Sequence, residues 1–124
     1  MHVTRRAQAV PYEAKDHTGM LCTRVQGKEA GPSQQMWMGL LHLEPGGTTG
    51  LAGSPIEKLY LVLQGEVTMI SESGAQRDEA VLHTWDSCCY APGESRQLIN
   101  RSQAPAVVAI VMANEPPPVA GAAS

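Results

Sequence analysis

Glycine and proline punctuation is the feature that most constrains the fold of this chain. Its 124 residues include 12 glycines and 9 prolines, which divide the sequence into short segments bounded by turn signals. None of these segments carries a sustained helical apolar period, although a weak helical turn is expected at residues 12–15. Short strands at regular spacing are typical of an all-β sandwich or barrel. The predicted strands cover residues 20–26, 35–44, 58–64, 66–73, 79–85, 87–91, 96–100 and 106–113.

Length and composition predict a single globular domain. Hydrophobic residues make up 43% of the chain and charged residues 17%, which separates it from disordered sequences. A chain of this length can bury a hydrophobic core without disulfides or metals to hold it together. We predict one barrel domain over residues 1–113, with an N-terminal arm. We also predict a disordered tail over residues 114–124, where prolines are followed by small residues.

Charge and cysteine content exclude several classes of function. The net charge is −3 and the isoelectric point about 5.7, so no basic face for nucleic acid is expected. The sequence has no apolar run of membrane-spanning length and no apolar segment behind its first positive charges. Its three cysteines include an adjacent pair, which is a poor basis for disulfides. We expect reduced, buried thiols, a cytoplasmic location and no membrane partner.

The strand predicted at residues 35–44 is apolar on both faces. A strand of this kind is covered on both faces, because neither face is suited to water. We therefore predict a homodimer in which this strand lies near the interface. One face carries Trp37, Gly39, Leu41 and Leu43, and the other carries Met36, Met38, Leu40 and His42.

Two groups of residues resemble the two sequence motifs of the cupin superfamily. The first comprises Pro45-Gly46-Gly47, the apolar strand 59–63 and the turn Gln64-Gly65-Glu66. The second comprises Trp85-Asp86, Ala91-Pro92-Gly93 and Asn100. The resemblance implies an all-β, double-stranded β-helix or jelly-roll barrel. It leaves the activity open, because one fold hosts many functions.

The resemblance also implies a metal site, and every ligand position of that site is substituted here. The two histidines of the first motif fall within residues 51–55, which read Leu-Ala-Gly-Ser-Pro, and its glutamate falls on Lys58. The third histidine falls on Arg96, and the glycine that normally precedes Asp86 is Trp85. Lysine and arginine offer hydrogen-bond donors but no lone pair for a metal at neutral pH. We therefore expect no metal and no cofactor.

Strand alternation predicts what replaces the metal. In the register that the resemblance implies, Lys58, Tyr60 and Arg96 project into one cavity, where two cations suit a carboxylate or another anion. Alternatively, Lys58 turns to the barrel mouth and Arg96 pairs with Glu57 or Glu94 at the surface. A register slip of one residue would instead place Glu57 inside as a general base.

Three functions follow from this reading. The first is a metal-independent cupin that acts on a small carboxylate-bearing metabolite, such as a lyase, an isomerase or a decarboxylase auxiliary. The second is a non-catalytic binding or sensing module. The third is a metal-dependent, dioxygenase-like enzyme with an atypical ligand set that includes His42 and His83. The candidate acid–base residues are Tyr60, Glu57, His42 and His83, although each histidine also has a purely structural reading.

Overall fold

The computed structural model describes residues 1–115 as ten β-strands that curl into a nearly closed antiparallel barrel. Two short 3-10 helices, Arg6–Gln8 and Lys28–Ala30, precede and follow the first long strand. The strands are β1 Val10–Tyr12, β2 His17–Gln26, β3 Met36–Thr49, β4 Ala52–Gly53, β5 Lys58–Gln64, β6 Glu66–Ser73, β7 Gln76–His83, β8 Ser87–Tyr90, β9 Ser95–Ile99 and β10 Ala106–Ala113.

The sheet order brings distant parts of the chain side by side. Neighbouring strands run β7-β6-β9-β3-β10-β5-β8, so β10, the last strand of the described residues, lies between β3 and β5. Strand β2 pairs with β3 along the edge opposite β10, and β1 pairs with the outer edge of β2. The short β4 pairs with β9. Every pairing is antiparallel, which confirms the predicted all-β jelly-roll barrel.

Period-two alternation places the core. In β5, Lys58, Tyr60 and Val62 are buried while Leu59 between them is half exposed, as a strand with one face on a core requires. The same alternation in β3 buries Trp37, Leu41 and Leu43. Further buried apolar side chains from other strands complete the barrel interior: Val67, Met69, Leu82, Tyr90, Leu98, Val108 and Ile110.

Strands β5, β6 and β10 have the predicted bounds, whereas the N-terminal third differs from its prediction. The helical turn expected at residues 12–15 is wrong, because Tyr12 ends β1 and a tight turn at Lys15-Asp16 leads into β2. Strand β2 begins at His17, three residues earlier than predicted. Its extension is held by pairing with the far end of β3, through His17–Thr49 and Thr18–Thr48.

Strand β3 continues through Pro45-Gly46-Gly47, where the sequence predicted a turn. The segment bends the strand and lets it exchange partners, so that Thr48 pairs with Ile99 of β9. Gly47 is required at this bend because a Cβ there would lie 2.4 Å from the carbonyl oxygen of Gly19. The register of β2 against β3 shifts opposite the bend, between Thr18 and Met20.

Asn100, the last landmark of the second motif, has a structural role. Its side chain is fully buried, and its Nδ2 donates to the carbonyl oxygens of Leu43 at 3.2 Å and Ala104 at 2.8 Å. Its Oδ1 accepts from the backbone N–H of Ser102 at 3.0 Å. All polar atoms of the amide are therefore engaged, and the connection from β9 to β10 is fixed against β3.

Two other predictions are corrected by the described residues. Asn114 is not disordered, because its backbone N–H donates to Gln35 O at 2.8 Å and its Nδ2 to Gln34 O at 3.0 Å. Residues 116–124 of the predicted tail lie outside the described residues. All three cysteines are free, but only Cys22 is buried, Cys88 is half buried and Cys89 is exposed. Within residues 1–115, no helix is long and apolar enough to cross a membrane.

Trp85 carries backbone strain that glycine would relieve. Its φ is +74°, in the left-handed region that bulky residues avoid, and its side chain is largely exposed. We expect Trp85→Gly to raise the free energy of unfolding by about 0.5–1 kcal/mol in urea titrations, because the strain outweighs the entropy of the added glycine. Trp85→Ala is the matched control, since it loses the indole but keeps Cβ. Equal stability of the two variants would contradict this account.

Candidate functional site

A cavity of about 220 Å³ lies inside the barrel near β4 and the N-terminal strands. It corresponds to the liquid volume of roughly seven water molecules, which suits one small metabolite. No aspartate or glutamate from residues 1–115 lines it. Its apolar walls are Trp37, Leu41, Ile110 and Met112. Its polar groups come from Lys15, His17, Thr49, Lys58, Tyr60 and Arg96.

Lys58 lies inside the barrel and is 5% exposed. Its Nζ donates to Ser54 Oγ at 2.7 Å, and no carboxylate among the described residues is within ion-pair distance. Burial and the neighbouring Arg96 cation both lower the pKa of Lys58 below its ordinary value. The register alternative is wrong, because Glu57 is exposed on the outer face and is not a pocket base.

Arg96 lines the same cavity from β9. Its Nε is buried and has no hydrogen-bond partner among residues 1–115. The surface pairing with Glu94 is wrong, because the Glu94 carboxylate accepts hydrogen bonds from Ser71 Oγ and, at 2.9 Å, from the Ala91 N–H. These bonds lower the pKa of Glu94 and fix it as an anion away from Arg96. The guanidinium therefore brings its charge to the cavity without a carboxylate partner from the described chain.

Tyr60 contributes a protonated phenol to the cavity wall. Its side chain is 3% exposed, and its ring packs edge-to-face on Tyr90 with centroids 5.8 Å apart. Burial raises the pKa of Tyr60 to about 12, with Arg96 opposing the shift. At neutral pH the hydroxyl is therefore a hydrogen-bond donor and not a base.

His17 is a cavity residue that the sequence reading missed. Its Nδ1 lies 3.6 Å from the Sγ of Cys22, and its ring lines the cavity together with Arg96. Burial and the Arg96 cation lower the pKa of His17, while Asp16 raises it less strongly. The imidazole is therefore neutral near pH 7 and can accept a proton. His17 lies outside the strand predicted at residues 20–26, because nothing in its neighbourhood predicts that β2 extends back to it.

Ser54 is the second residue missed from the sequence. It falls in the stretch 51–55, which we read as small groups that leave room in the cavity. None of these five residues lines the cavity, and Leu51 is 42% exposed. The stretch instead forms β4 at the barrel rim, and Ser54 turns inward to hold the amine of Lys58.

His42 and His83 lie away from the cavity, which removes them as acid–base candidates there. His42 faces outward from β3 because its neighbours Leu41 and Leu43 occupy the inward positions. His83 is exposed at the end of β7, where its Nε2 lies 3.3 Å from Glu66 and its Nδ1 lies 4.0 Å from Asp86. The metal-ligand set that combined the two histidines is therefore wrong.

The cavity does not fit the metal that the cupin resemblance implies. Across the described chain, no three His, Cys, Asp or Glu side chains come together to hold an ion. Lys58 and Arg96 take the places of two ligands, and two cations would repel a third. His17 is the only imidazole on the wall described here, and its Nδ1 already faces Cys22. We therefore derive no step through a metal.

The barrel is similar to solved structures of cupin domains. A cupin-2 domain protein of Rhodospirillum rubrum matches with a TM-score of 0.71 and 10% identity over 89% of this chain and 71% of that one. The polyketide cyclase RemF of Streptomyces resistomycificus matches with a TM-score of 0.79 and 13% identity over 95% of this chain and 82% of that one. Identities this low show the fold alone. The fold is that of the cupin superfamily.

A Mycobacterium tuberculosis protein named beta-D-galactosidase Rv1717 gives a closer sequence match. It is 38% identical over 114 residues, which cover 92% of this chain and 95% of that protein. The chain therefore belongs to the same family as the M. tuberculosis protein, and its barrel has the fold of the cupin domains. No protein-family model matches the sequence.

The uncompensated charge of Lys58 predicts a measurable effect on stability. We expect Lys58→Met to raise the free energy of unfolding by about 1–2 kcal/mol near pH 7, because it removes a buried cation without a counter-charge. The folded-state pKa lies below the ordinary 10.5, so the wild type gains stability as the pH rises between the two values. The advantage of the variant should therefore shrink near pH 10.

Urea titrations of both proteins at the two pH values measure this difference. The matched control is Lys15→Met, which removes an exposed amine at the rim of the same cavity and should change stability by less than about 0.5 kcal/mol. A Lys58→Met protein less stable than the wild type near pH 7 would show that the hydrogen bond to Ser54 outweighs the cost of burying the charge.

Proposed function

We propose that this chain is a metal-independent cupin that binds a small carboxylate-bearing molecule in its barrel cavity. The observation that carries this proposal is that Lys58 and Arg96 share the wall of the 220 Å³ cavity, on which no described aspartate or glutamate lies. Glu115 lines the adjoining space at the rim, but no ion pair joins it to either cation. Buried lysine and arginine side chains are normally paired, since an unpaired charge in a low-dielectric interior is costly. A bound anion supplies the missing counter-charge.

Arg96 and Lys58 would contact the anion in different ways. The planar guanidinium of Arg96 suits a carboxylate, which it can engage through two parallel N–H donors. Lys58 adds a point charge at the other side of the same small space. Trp37, Ile110 and Met112 exclude water around the ligand, which strengthens the electrostatic attraction.

The neighbouring groups support acid–base chemistry on such a ligand. His17 is neutral near pH 7 and can act as the base, while Tyr60 keeps its proton and can donate to a developing oxyanion. This pairing fits the lyase, isomerase or decarboxylase class that the sequence suggested. The alternative function given under sequence analysis is a non-catalytic binding or sensing module. Such a module would bind the same ligand in this cavity and would not convert it.

Glycoside hydrolysis is the second candidate function, and the name of the M. tuberculosis relative favours it. Hydrolysis of a glycoside commonly uses two carboxyl groups that flank the scissile bond. The cavity wall formed by residues 1–115 contains neither, which favours anion binding over this route. An acidic sugar would satisfy both the cationic cavity and the sugar chemistry of the relative's name.

A thermal-shift experiment with pairs of acidic and neutral ligands of similar shape tests whether the cavity recognises the negative charge. We expect galacturonate and lactate to raise Tm, and galactose and lactamide to leave it unchanged, because only the acids carry the carboxylate that Arg96 needs. Arg96→Met should weaken acid binding about tenfold or more, since it removes a charged hydrogen bond of roughly 1.5–3 kcal/mol. Arg6→Met serves as the control, because it removes an exposed cation from outside the cavity and keeps Lys58 and Arg96.

Two results would count against anion binding. One is an equal Tm shift from the acids and their neutral partners, and the other is undiminished acid binding by Arg96→Met. Hydrolysis of a nitrophenyl β-D-galactoside by the wild type, without any effect of the acids, would favour the second candidate function instead.

We also propose that the chain is a homodimer joined through the outer face of β3, β10 and β5. Met36, Met38 and Leu59 are 41–52% exposed there, and a groove of about 840 Å³ between the strands has no charged residue on its wall. Exposed apolar patches of this kind mark interaction surfaces. An uncharged face suits a second copy, because a two-fold axis brings the same face against itself without unpaired charges.

Leu59→Glu should convert the dimer into a monomer. The substitution places a carboxylate on the apolar face of both copies, and we expect the dimer Kd to rise about 100-fold or more in sedimentation velocity. Val81→Glu is the matched control, because Val81 is equally exposed but lies on β7, outside this face. A monomeric wild type at micromolar concentration would overturn the proposal. A cytoplasmic location stays a prediction from the sequence.

A further inference from the structure

We propose that Lys58 forms a Schiff base with the carbonyl carbon of a small oxo acid whose carboxylate is held by Arg96. The inference rests on the proposed carboxylate site and names a second functional group of the substrate, a ketone or an aldehyde. It assigns Lys58 a covalent role beyond that of a counter-charge.

The hydrogen bonds around Lys58 leave its nitrogen available for attack. Its one partner among the described residues is the hydroxyl of Ser54, to which it donates. The Ser54 hydrogen is directed to the carbonyl oxygen of Ile56 at 3.2 Å, so Ser54 has no second proton to give the amine. The lone pair of the neutral amine therefore meets no donor from residues 1–115.

The surroundings of Lys58 are those that activate a nucleophilic lysine. A lysine becomes a good nucleophile when desolvation or a neighbouring cation favours its neutral form. Both conditions hold here, since the side chain is 5% exposed and Arg96 lies on the same cavity wall. A lysine kept for structure would instead be expected to meet a carboxylate, and none of the described carboxylates is its partner.

The size of the cavity restricts the substrate. About 220 Å³ of space admits a molecule of a few carbon atoms, with its carboxylate at Arg96 and its carbonyl group directed to Lys58. The apolar wall favours imine formation, because the reaction releases a water molecule from a site that excludes water. Small 2-oxo acids, of which pyruvate is the simplest, combine both groups within this length.

The steps balance without an oxidant or a cofactor. The Lys58 nitrogen forms a bond to the carbonyl carbon, and the carbonyl oxygen takes the π electrons. The oxygen then accepts a proton, which Tyr60 can donate. Loss of water leaves a protonated imine, which acidifies the neighbouring C–H, and His17 accepts that proton as the enamine forms. Return of the proton from His17 to carbon restores the protonated imine. Addition of water then releases the oxo acid and the neutral Lys58 amine, and the proton set free in this step returns to the Tyr60 oxygen.

Reductive trapping tests the proposal on the whole chain. The protein is incubated with pyruvate and sodium cyanoborohydride, and the modified lysine is located by peptide mass spectrometry. We expect labelling of Lys58 about tenfold or more above Lys15 and Lys28, because burial and Arg96 lower the pKa of Lys58 whereas the other two lysines are exposed. Excess lactate, which carries the carboxylate but no carbonyl, should suppress the labelling of Lys58 alone.

The arms of the experiment separate this inference from the proposed function. Lys58→Arg keeps the cation, so it should still show the Tm shift with lactate while losing the preferred adduct; Arg6→Met, which removes an exposed cation outside the cavity, should keep both. Equal labelling of Lys58, Lys15 and Lys28 in the wild type, unaffected by lactate, overturns the Schiff base even where lactate still raises Tm. Absence of any Tm shift with lactate overturns the carboxylate site as well. The wild-type labelling decides the matter if a variant does not fold.

A second readout follows from the proton step. The wild type in deuterium oxide should exchange the methyl protons of pyruvate, as followed by proton NMR, and Lys58→Arg should reduce that exchange to the background rate. Exchange at the wild-type rate in Lys58→Arg would contradict an enamine on Lys58.

Discussion

Two positive charges inside the barrel, without a carboxylate from the described chain to balance them, govern the chemistry of this site. Burial and the permanent charge of Arg96 together lower the pKa values of Lys58 and His17. The neutral imidazole and the protonated phenol of Tyr60 are consequences of the same arrangement of charge and burial.

The fold could be predicted from local signals because those signals agree. Strands β5, β6 and β10 alternate or run apolar between clear turn residues, and their bounds match the prediction. The inward positions of Lys58 and Arg96 follow from the same period of two. The continuation of β3 through Pro45-Gly46-Gly47 could not be predicted, because a turn signal and a bend between two pairing partners have the same composition.

Part of the site was inaccessible to sequence reasoning for a geometric reason. Strict alternation from the buried Cys22 would put Thr18 inward and His17 outward, but the register shift between Thr18 and Met20 reverses that parity. The shift depends on Gly19 meeting Gly47, a contact between segments far apart in sequence. Ser54 was missed for a related reason, since its role depends on how the rim strand β4 lies over the end of β5.

The position of β10 in the sheet affects how the barrel folds while the chain is being synthesised. As the final described strand lies between β3 and β5, those two strands keep unpaired backbone edges until almost the whole domain has left the ribosome. During that interval the apolar residues of β3 and β5 are exposed beside open edges, a combination that favours aggregation. Pairing of β10 with both edges therefore completes the barrel and removes this hazard in one step.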